Sequence, residues 1–263
     1  MPPGTVLITG ASSGIGREMA TIFARDGYSL ILVASNKELL EQVAHEVTSV
    51  YGVATRWIQK DLSLPSAAQE LFDELRCTDV TILVNNAGVG VYGLFVENNL
   101  EDELRMMQLN MMSVTSLTKL FVKKMVEKGE GRILNMASTV AFQAGPLMAV
   151  YYASKAYVLL FSEALYNELC GSGVTVSVLC PGPTRTGFQK RSNLVASRLP
   201  GSKLFKWASM DARKVAMIGY SGLMKNQTII IPGFMNKLLV FFTRLVPRTF
   251  ATHLARLIQE RRT

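Results

Sequence analysis

The chain has 263 residues and a formal net charge of +8, with 49% hydrophobic and 18% charged side chains. That is more apolar and less charged than an average soluble domain, which excludes intrinsic disorder and suits one large core. The most apolar late run, 229–246, is broken by Pro232, Gly233, Asn236, Lys237 and Arg244, which excludes a membrane-spanning helix there.

Thr5–Thr9 is a short β-branched run closed by Gly10. Ile15, Met19, Ile22 and Phe23 then recur at helical spacing up to Gly27, a natural C-terminal cap. These residues predict a strand, a glycine-rich turn and a helix. Residues 29–33 read as a second strand, Lys37–Tyr51 as a helix and 53–58 as a third strand. Pro65 stands where the first turn of the next helix would begin, 80–84 is strand-like, and 100–126 supports one long helix. A strand at 132–136, a helix at 150–169 and a strand at Val174–Leu179 continue the series, before a helix at Ala212–Met224 and a last strand at 228–231. Seven strands separated by helices of crossover length specify an α/β fold. The sheet is expected to be of the Rossmann type, doubly wound and mainly parallel, with helices on both faces.

Cys77, Cys170 and Cys180 lie far apart, and an odd number cannot close a disulfide framework. His45 and His253 are the only histidines, so a metal site has little to build on and none is expected. Val6-Leu7-Ile8 is too short for the core of a signal peptide, so a cytoplasmic protein is expected and the Asn226-Gln227-Thr228 glycosylation triplet is a chance match. Charge is unevenly placed: residues 190–263 hold 14 Lys+Arg against Asp211 and Glu260 alone. A run of this kind is either a solvated face or, where bases alternate with Leu, Val and Phe as here, a surface for anionic lipid or an acidic ligand. No zinc-finger, RNP or basic-zipper pattern points to nucleic acid.

The first turn reads Thr9-Gly10-Ala11-Ser12-Ser13-Gly14-Ile15-Gly16. Following a strand and opening a helix, it would let the backbone approach a pyrophosphate while the helix N-terminus supplies N–H groups and positive potential. The same residues satisfy the Gly-x-Ser-x-Gly of a hydrolase nucleophile elbow, with Ser12 as nucleophile. That reading lacks a suitably placed acid and histidine and any His-Gly-Gly sequence.

Further motifs follow in order. Asp61-Leu62 follows the third strand, Asn85-Asn86-Ala87-Gly88 the fourth, and Asn110 lies in the long helix; Ser138 follows the fifth strand. Tyr151-Tyr152-Ala153-Ser154-Lys155 opens the next helix and Pro181-Gly182-Pro183-Thr184-Arg185-Thr186 follows the sixth strand. With these motifs, residues 5–232 resemble the short-chain dehydrogenase/reductase family. The resemblance is to its 3-oxoacyl and hydroxysteroid reductase members with a long C-terminal segment. It implies hydride transfer between a nicotinamide cofactor and a carbonyl or secondary alcohol. It also implies a cofactor held by Gly10, Ser12, Ser13, Gly14, Ile15, Gly16, Asp61, Leu62, Asn86, Ala87, Gly88, Tyr151, Lys155, Pro181, Gly182, Thr184 and Thr186, and a water on Asn110 that relays protons from Lys155.

Tyr151 and Lys155 can be argued physically. Residues four apart on a helix share a face, so the ammonium would favour phenolate and bring Tyr151 toward a working acid and base. Tyr152 has Ala156 at that spacing and lacks the partner. Ser138, at a strand's C-terminal end, can hydrogen-bond a substrate carbonyl. The end of the second strand reads Val33-Ala34-Ser35-Asn36-Lys37 with no acid until Glu38. An acid there would bond the ribose hydroxyls of NAD and repel a 2′-phosphate, so NADP(H) is favoured over NAD(H), with Ser35, Asn36, Lys37 and Arg17 meeting the phosphate.

Residues 1–232 are thus expected to form the dinucleotide-binding catalytic domain. Within it a substrate lid at 188–207 is apolar through Phe188, Leu194, Val195, Leu199, Leu204, Phe205 and Trp207, which favours a greasy carbonyl. Residues 233–263 are expected to form two short helices separated by Pro247, packed on the cleft or on a partner subunit, or laid peripherally on an anionic membrane. Apolar stripes on the two long helices predict a homo-oligomer. Two other functions remain open: a non-catalytic nucleotide sensor, and a peripheral membrane protein on a dehydrogenase-like body.

Overall fold

The computed structural model describes residues 3–188 and 209–260. Strand and helix alternate through β1 (Thr5–Thr9), α1 (Gly14–Arg25), β2 (Ser29–Ala34), α2 (Lys37–Tyr51), β3 (Thr55–Gln59), α3 (Ala67–Glu74) and β4 (Val80–Asn85). Next come α4 (Leu100–Met107), a π-helical turn (Gln108–Met112), α5 (Ser113–Lys128), β5 (Gly131–Met136), a 3-10 turn (Thr139–Phe142), α6 (Ala149–Glu168) and β6 (Val174–Leu179). The chain ends with the short β7 (Thr184–Arg185) and β8 (Met210–Asp211), α7 (Ala212–Met224), β9 (Ile229–Ile230), α8 (Phe234–Leu245) and α9 (Arg248–Gln259).

Among the described residues the main sheet has seven strands in the order β3-β2-β1-β4-β5-β6-β9, and every pairing is parallel. The expected Rossmann-type sheet is therefore present. Its strands are apolar on both faces because helices cover both. Val6 and Ile8 of β1 join Met19 and Phe23 of α1, Leu40 and Val43 of α2 and Val215 of α7 in one layer. Leu7 faces the other way, with Leu71, Leu117, Phe121 and Ile133. That is the two-residue period of a strand buried on both sides. The order reverses between β1 and β4, so the crevice at the carboxyl ends of the strands opens there.

Three details differ from the sequence expectation. The long helix at 100–126 is not uniform: a π-turn centred on Asn110 separates α4 from α5. Pro65 precedes α3 by two residues and does not open it. An unforeseen two-stranded pair, β7 with β8, brackets the segment containing the expected lid. That lid, 188–207, lies outside the described residues except for Phe188. The two C-terminal helices form where expected, with Pro247 as the N-cap of α9. No helix among the described residues is long and apolar enough to cross a membrane.

Candidate active site

The glycine-rich turn is shaped by contacts that leave no room for side chains. Gly10 and Gly14 have φ of +66° and +56°, and a Cβ on Gly16 would lie 2.4 Å from the Gly10 carbonyl oxygen. Asn86 Nδ2 donates to the carbonyls of Thr9 (2.9 Å) and Gly10 (3.1 Å), while Thr9 Oγ1 accepts from the N–H groups of Asn86 and Ala87. The turn and the end of β4 are thus tied into one cradle. The first turn of α1 carries no acidic side chain, so its positive end faces the cradle unopposed by a carboxylate.

The expected phosphate ligands are arranged unevenly. Ser35 and Asn36 line the cleft, but Asn36 Oδ1 also accepts from the Leu39 N–H at 2.8 Å as the N-cap of α2. Lys37 rests over the Trp57 ring at 5.9 Å, and Arg17 pairs with Glu46 at 2.7 Å. Lys60, which the sequence did not suggest, lines the same end of the cleft and pairs with Glu70 at 3.0 Å. Burial works to raise the Asp61 carboxyl, but hydrogen bonds from Ser63 together with the nearby Arg105 outweigh it and hold the group below its ordinary value. Asn85 turns away from the cleft, where its Nδ2 meets Thr118 Oγ1 and Asn135 Oδ1 in the core.

Ser138, Tyr151, Lys155 and Asn110 converge. Ser138 Oγ donates to the Pro181 carbonyl at 3.2 Å and accepts from Val140 N at 3.3 Å, and it stands near enough to Tyr151 to bear on its phenol. Lys155 Nζ donates to the Met136 carbonyl at 2.9 Å and sits 5.9 Å from the Tyr151 ring centre. Asn110 Oδ1 accepts from Val89 N, and its Nδ2 donates to Val89 O and Ser154 Oγ. Gly88 fits between the two: a Cβ there would lie 3.2 Å from Asn110 Oδ1 and 3.3 Å from Lys155 Nζ.

The electrostatics correct one expectation. In the protein alone the Tyr151 phenol is not brought down. Burial pushes it far above its ordinary value, the neighbouring Tyr152 adds to that, and the Ser138 hydrogen bond only partly opposes it. Lys155 is buried too, and desolvation lowers it to about 8, with Cys180 pulling the other way. Cys180 is itself pushed up by burial to about 12 and stays a neutral thiol. At neutral pH Lys155 still carries its charge, but burial of the Tyr151 phenol outweighs the attraction of that ammonium.

Ser138, Tyr151 and Lys155 line one cleft of about 730 Å³ running from Gly10 and Ser35 past Tyr151 to the C-terminal helices, a volume suited to a cofactor and an organic substrate. The remaining expected residues, Ser12, Ser13, Ile15, Leu62, Ala87, Pro181, Gly182, Thr184 and Thr186, line it as well, whereas Gly16, Arg17, Lys37 and Asn110 do not; Asn110 stands behind Gly88 and Val89. His253, the one late histidine a hydrolase would need, is exposed and lies 2.8 Å from the Thr249 carbonyl of its own helix. The tail packs on the cleft, one of the placements expected for it: Asn236, Leu239, Val240, Ala255, Ile258 and Gln259 from α8 and α9 close the far wall, and the sequence did not say which side chains would do so.

The family model for short chain dehydrogenases matches residues 4–195. The chain belongs to that family. As a short-chain dehydrogenase it is an oxidoreductase. It is 34% identical over 194 residues to a very-long-chain 3-oxoacyl-CoA reductase of Anas platyrhynchos, a match that covers 71% of this chain and 61% of the duck protein. A short-chain dehydrogenase from Sphingobium yanoikuyae, solved in complex with NADPH, superposes with a TM-score of 0.81 at 33% identity, covering 93% of this chain and 94% of that one. A family member from Burkholderia phymatum, solved in complex with NAD, does so with a TM-score of 0.81 at 26% identity, covering 93% and 92%. A nicotinamide cofactor is therefore the one this dehydrogenase fold accommodates.

Proposed function

We propose that the chain is an NADP(H)-dependent reductase of hydrophobic ketones, equally able to oxidise the matching secondary alcohols, with Tyr151 as proton donor and acceptor. The observation that carries this reading is the meeting of Ser138, Tyr151 and Lys155 in a cleft that also holds the glycine cradle, with Asn110 beside Lys155 across Gly88. The cradle fits the group, since Cβ atoms at Gly10 or Gly16 would occupy the space where backbone must approach a pyrophosphate. Gly10, Ser12, Gly14, Ser35, Asn36, Asp61, Asn86, Gly88, Thr184 and Thr186 would hold it. When bound, it supplies or accepts the hydride at the substrate carbon.

The chain's own residues do the rest. The Ser138 and Tyr151 hydroxyls line the same part of the cleft, and each can turn its one hydrogen to a carbonyl oxygen, Ser138 by giving up its bond to the Pro181 carbonyl. Tyr151 then passes its proton to the oxygen as negative charge develops. Lys155 would hold the cofactor ribose and stabilise the phenolate that remains, and Asn110 steadies the backbone at Val89 next to it. Apolar side chains from α8, α9 and Phe188 exclude water and suit a fatty-acyl or steroid-like body over a sugar. The matched duck reductase, which by its name acts on a long acyl substrate, supports the same class. Measuring NADPH oxidation against ketones of increasing chain length tests the proposal. The rate should climb with chain length, and NADPH binding without turnover on any ketone would leave a nucleotide sensor as the better reading.

Cofactor preference rests on the absence of an acid at Ala34, Ser35, Asn36 and Lys37. Ala34→Asp is expected to reverse or flatten a preference for NADP(H) in kcat/KM by about tenfold or more, because a carboxylate there repels the 2′-phosphate. Equal efficiency of the unaltered protein with both cofactors would defeat the idea. The outward faces of α4, α5 and α6 expose Leu100, Leu104, Val126 and Leu160. They support a homo-oligomer, which light scattering checks: one chain mass at micromolar concentration refutes it. The exposed apolar and basic side chains of α8 and α9 support a peripheral position on an anionic membrane.

A further inference from the structure

The two C-terminal helices carry apolar side chains in three settings. Leu239, Val240, Ala255 and Ile258 face inward and line the cleft. Phe234, Phe241, Leu245 and Leu257 stand exposed and do not touch it. Phe242, Phe250 and Leu254 do both: they line the cleft yet are 51%, 60% and 49% exposed. A side chain that is half in the cavity and half in solvent marks the cavity's mouth. The mouth is therefore rimmed by two phenylalanines and a leucine, and it opens onto the outer apolar rows. Phe241 and Phe242, with ring centres 6.3 Å apart, join rim to outer row.

We infer that this mouth is a loading port through which a ketone dissolved in an anionic bilayer enters the cleft without crossing water. The inference rests on the reading of the chain as a reductase of hydrophobic carbonyls. Charge names the occupant. Between Phe234 and Gln259 the chain holds four basic residues and no acidic one, and Lys237, Arg248 and Arg256 are exposed. Among the described residues Arg256 pairs with Glu260 alone, at 3.9 Å. Such a face complements lipid phosphates and repels a second copy of itself. The inner end of the port is fixed. Tyr92 Oη donates to the Gln259 carbonyl at 2.5 Å, and Gln259 Nε2 donates to the Tyr152 hydroxyl at 2.7 Å. Tyr152 packs edge-on against Tyr151 at 6.2 Å. Helix α9 thus spans from the patch to the ring beside the proposed acid.

The test uses the full chain, vesicles of neutral or anionic phospholipid, a short water-soluble ketone and a long-chain ketone dissolved in the vesicles. Phe241→Ser, Leu245→Ser and Leu257→Ser are combined in one variant that leaves the cleft lining intact. The unaltered chain should sediment with anionic vesicles only. Its binding should fall about a hundredfold at high salt, as three basic residues lose their attraction. The triple variant should reduce the soluble ketone within about twofold of the unaltered rate and the vesicle-dissolved ketone about tenfold more slowly. A Lys237→Glu, Arg256→Glu pair, which removes charge and keeps the apolar rows, should also lose vesicle binding. Overturning results are failure of the unaltered chain to bind anionic vesicles, undiminished use of vesicle-dissolved ketone by the triple variant, or loss of self-association in that variant as the only change. If neither ketone is reduced while vesicle binding holds, the reductase reading fails separately from the membrane contact.

Discussion

Tyr151→Phe is expected to lower kcat by about a thousandfold and leave the NADPH dissociation constant within about twofold, because the lost hydroxyl donates the proton and is not the main cofactor anchor. Burial keeps this phenol protonated throughout the neutral range. In the reduction direction the donor is therefore loaded at every working pH, and the rate should show no loss between about pH 6 and pH 9 from this group. In the oxidation direction the same proton must first leave, so the alcohol-oxidation rate should climb with pH over that range. Tyr152→Phe is the control. It breaks the hydrogen bond from Gln259 and so loosens α9, and KM should rise a few-fold with kcat little changed. Steady-state rates and fluorescence titration of NADPH on the two variants settle the assignment, and a dead Tyr152→Phe beside an active Tyr151→Phe would reverse it.

Most of this site was legible in the sequence because it lies where the chain's period changes. Glycines between a β-branched run and a helical one, Ser138 after β5 and the Tyr151, Lys155 pair at helical spacing are local patterns, and the topology brings them together without further information. Groups bound by distant partners were not legible. Arg17 and Lys37 looked available for a phosphate, yet Glu46, 29 residues on, and Trp57, on the neighbouring strand, hold them. The π-turn at Asn110 follows from that side chain's bonds to Val89 and Ser154, which no period in 100–126 reports. The Tyr151 phenol was expected to fall because spacing alone shows the ammonium. Burial, which spacing does not show, reverses its direction. The tail was legible as two apolar helices that could pack on the cleft, but pattern does not divide their side chains, and only folding shows that α8 and α9 present apolar groups to both the cleft and the exterior.

Lys155→Met is expected to remove activity and, in the cofactor-free protein, to raise the melting temperature at pH 7. The catalytic loss follows from the proposed role: without the ammonium neither the ribose nor the phenolate is held, so KM for NADPH rises and kcat falls, each by about tenfold or more. The stability gain follows from linkage. The folded-state value of Lys155 is about 8, below the 10.5 of the unfolded chain. Below about pH 8 both states carry the proton and the folded state bears the full cost of a buried charge. Between about pH 8 and 10.5 the unfolded state binds more protons, so stability rises with pH and the cost disappears. The difference corresponds to roughly 3 kcal/mol at pH 7, from which loss of the hydrogen bond to the Met136 carbonyl subtracts about 1 kcal/mol. A methionine of similar length fills the space. The variant should therefore be more stable by about 2 kcal/mol at pH 7, and the advantage should vanish by about pH 10. Melting curves of both proteins at pH 7, 8.5 and 10 decide it. A variant that is less stable at pH 7, or an advantage that grows with pH, would mean that Lys155 is stabilised in the fold by interactions stronger than its desolvation.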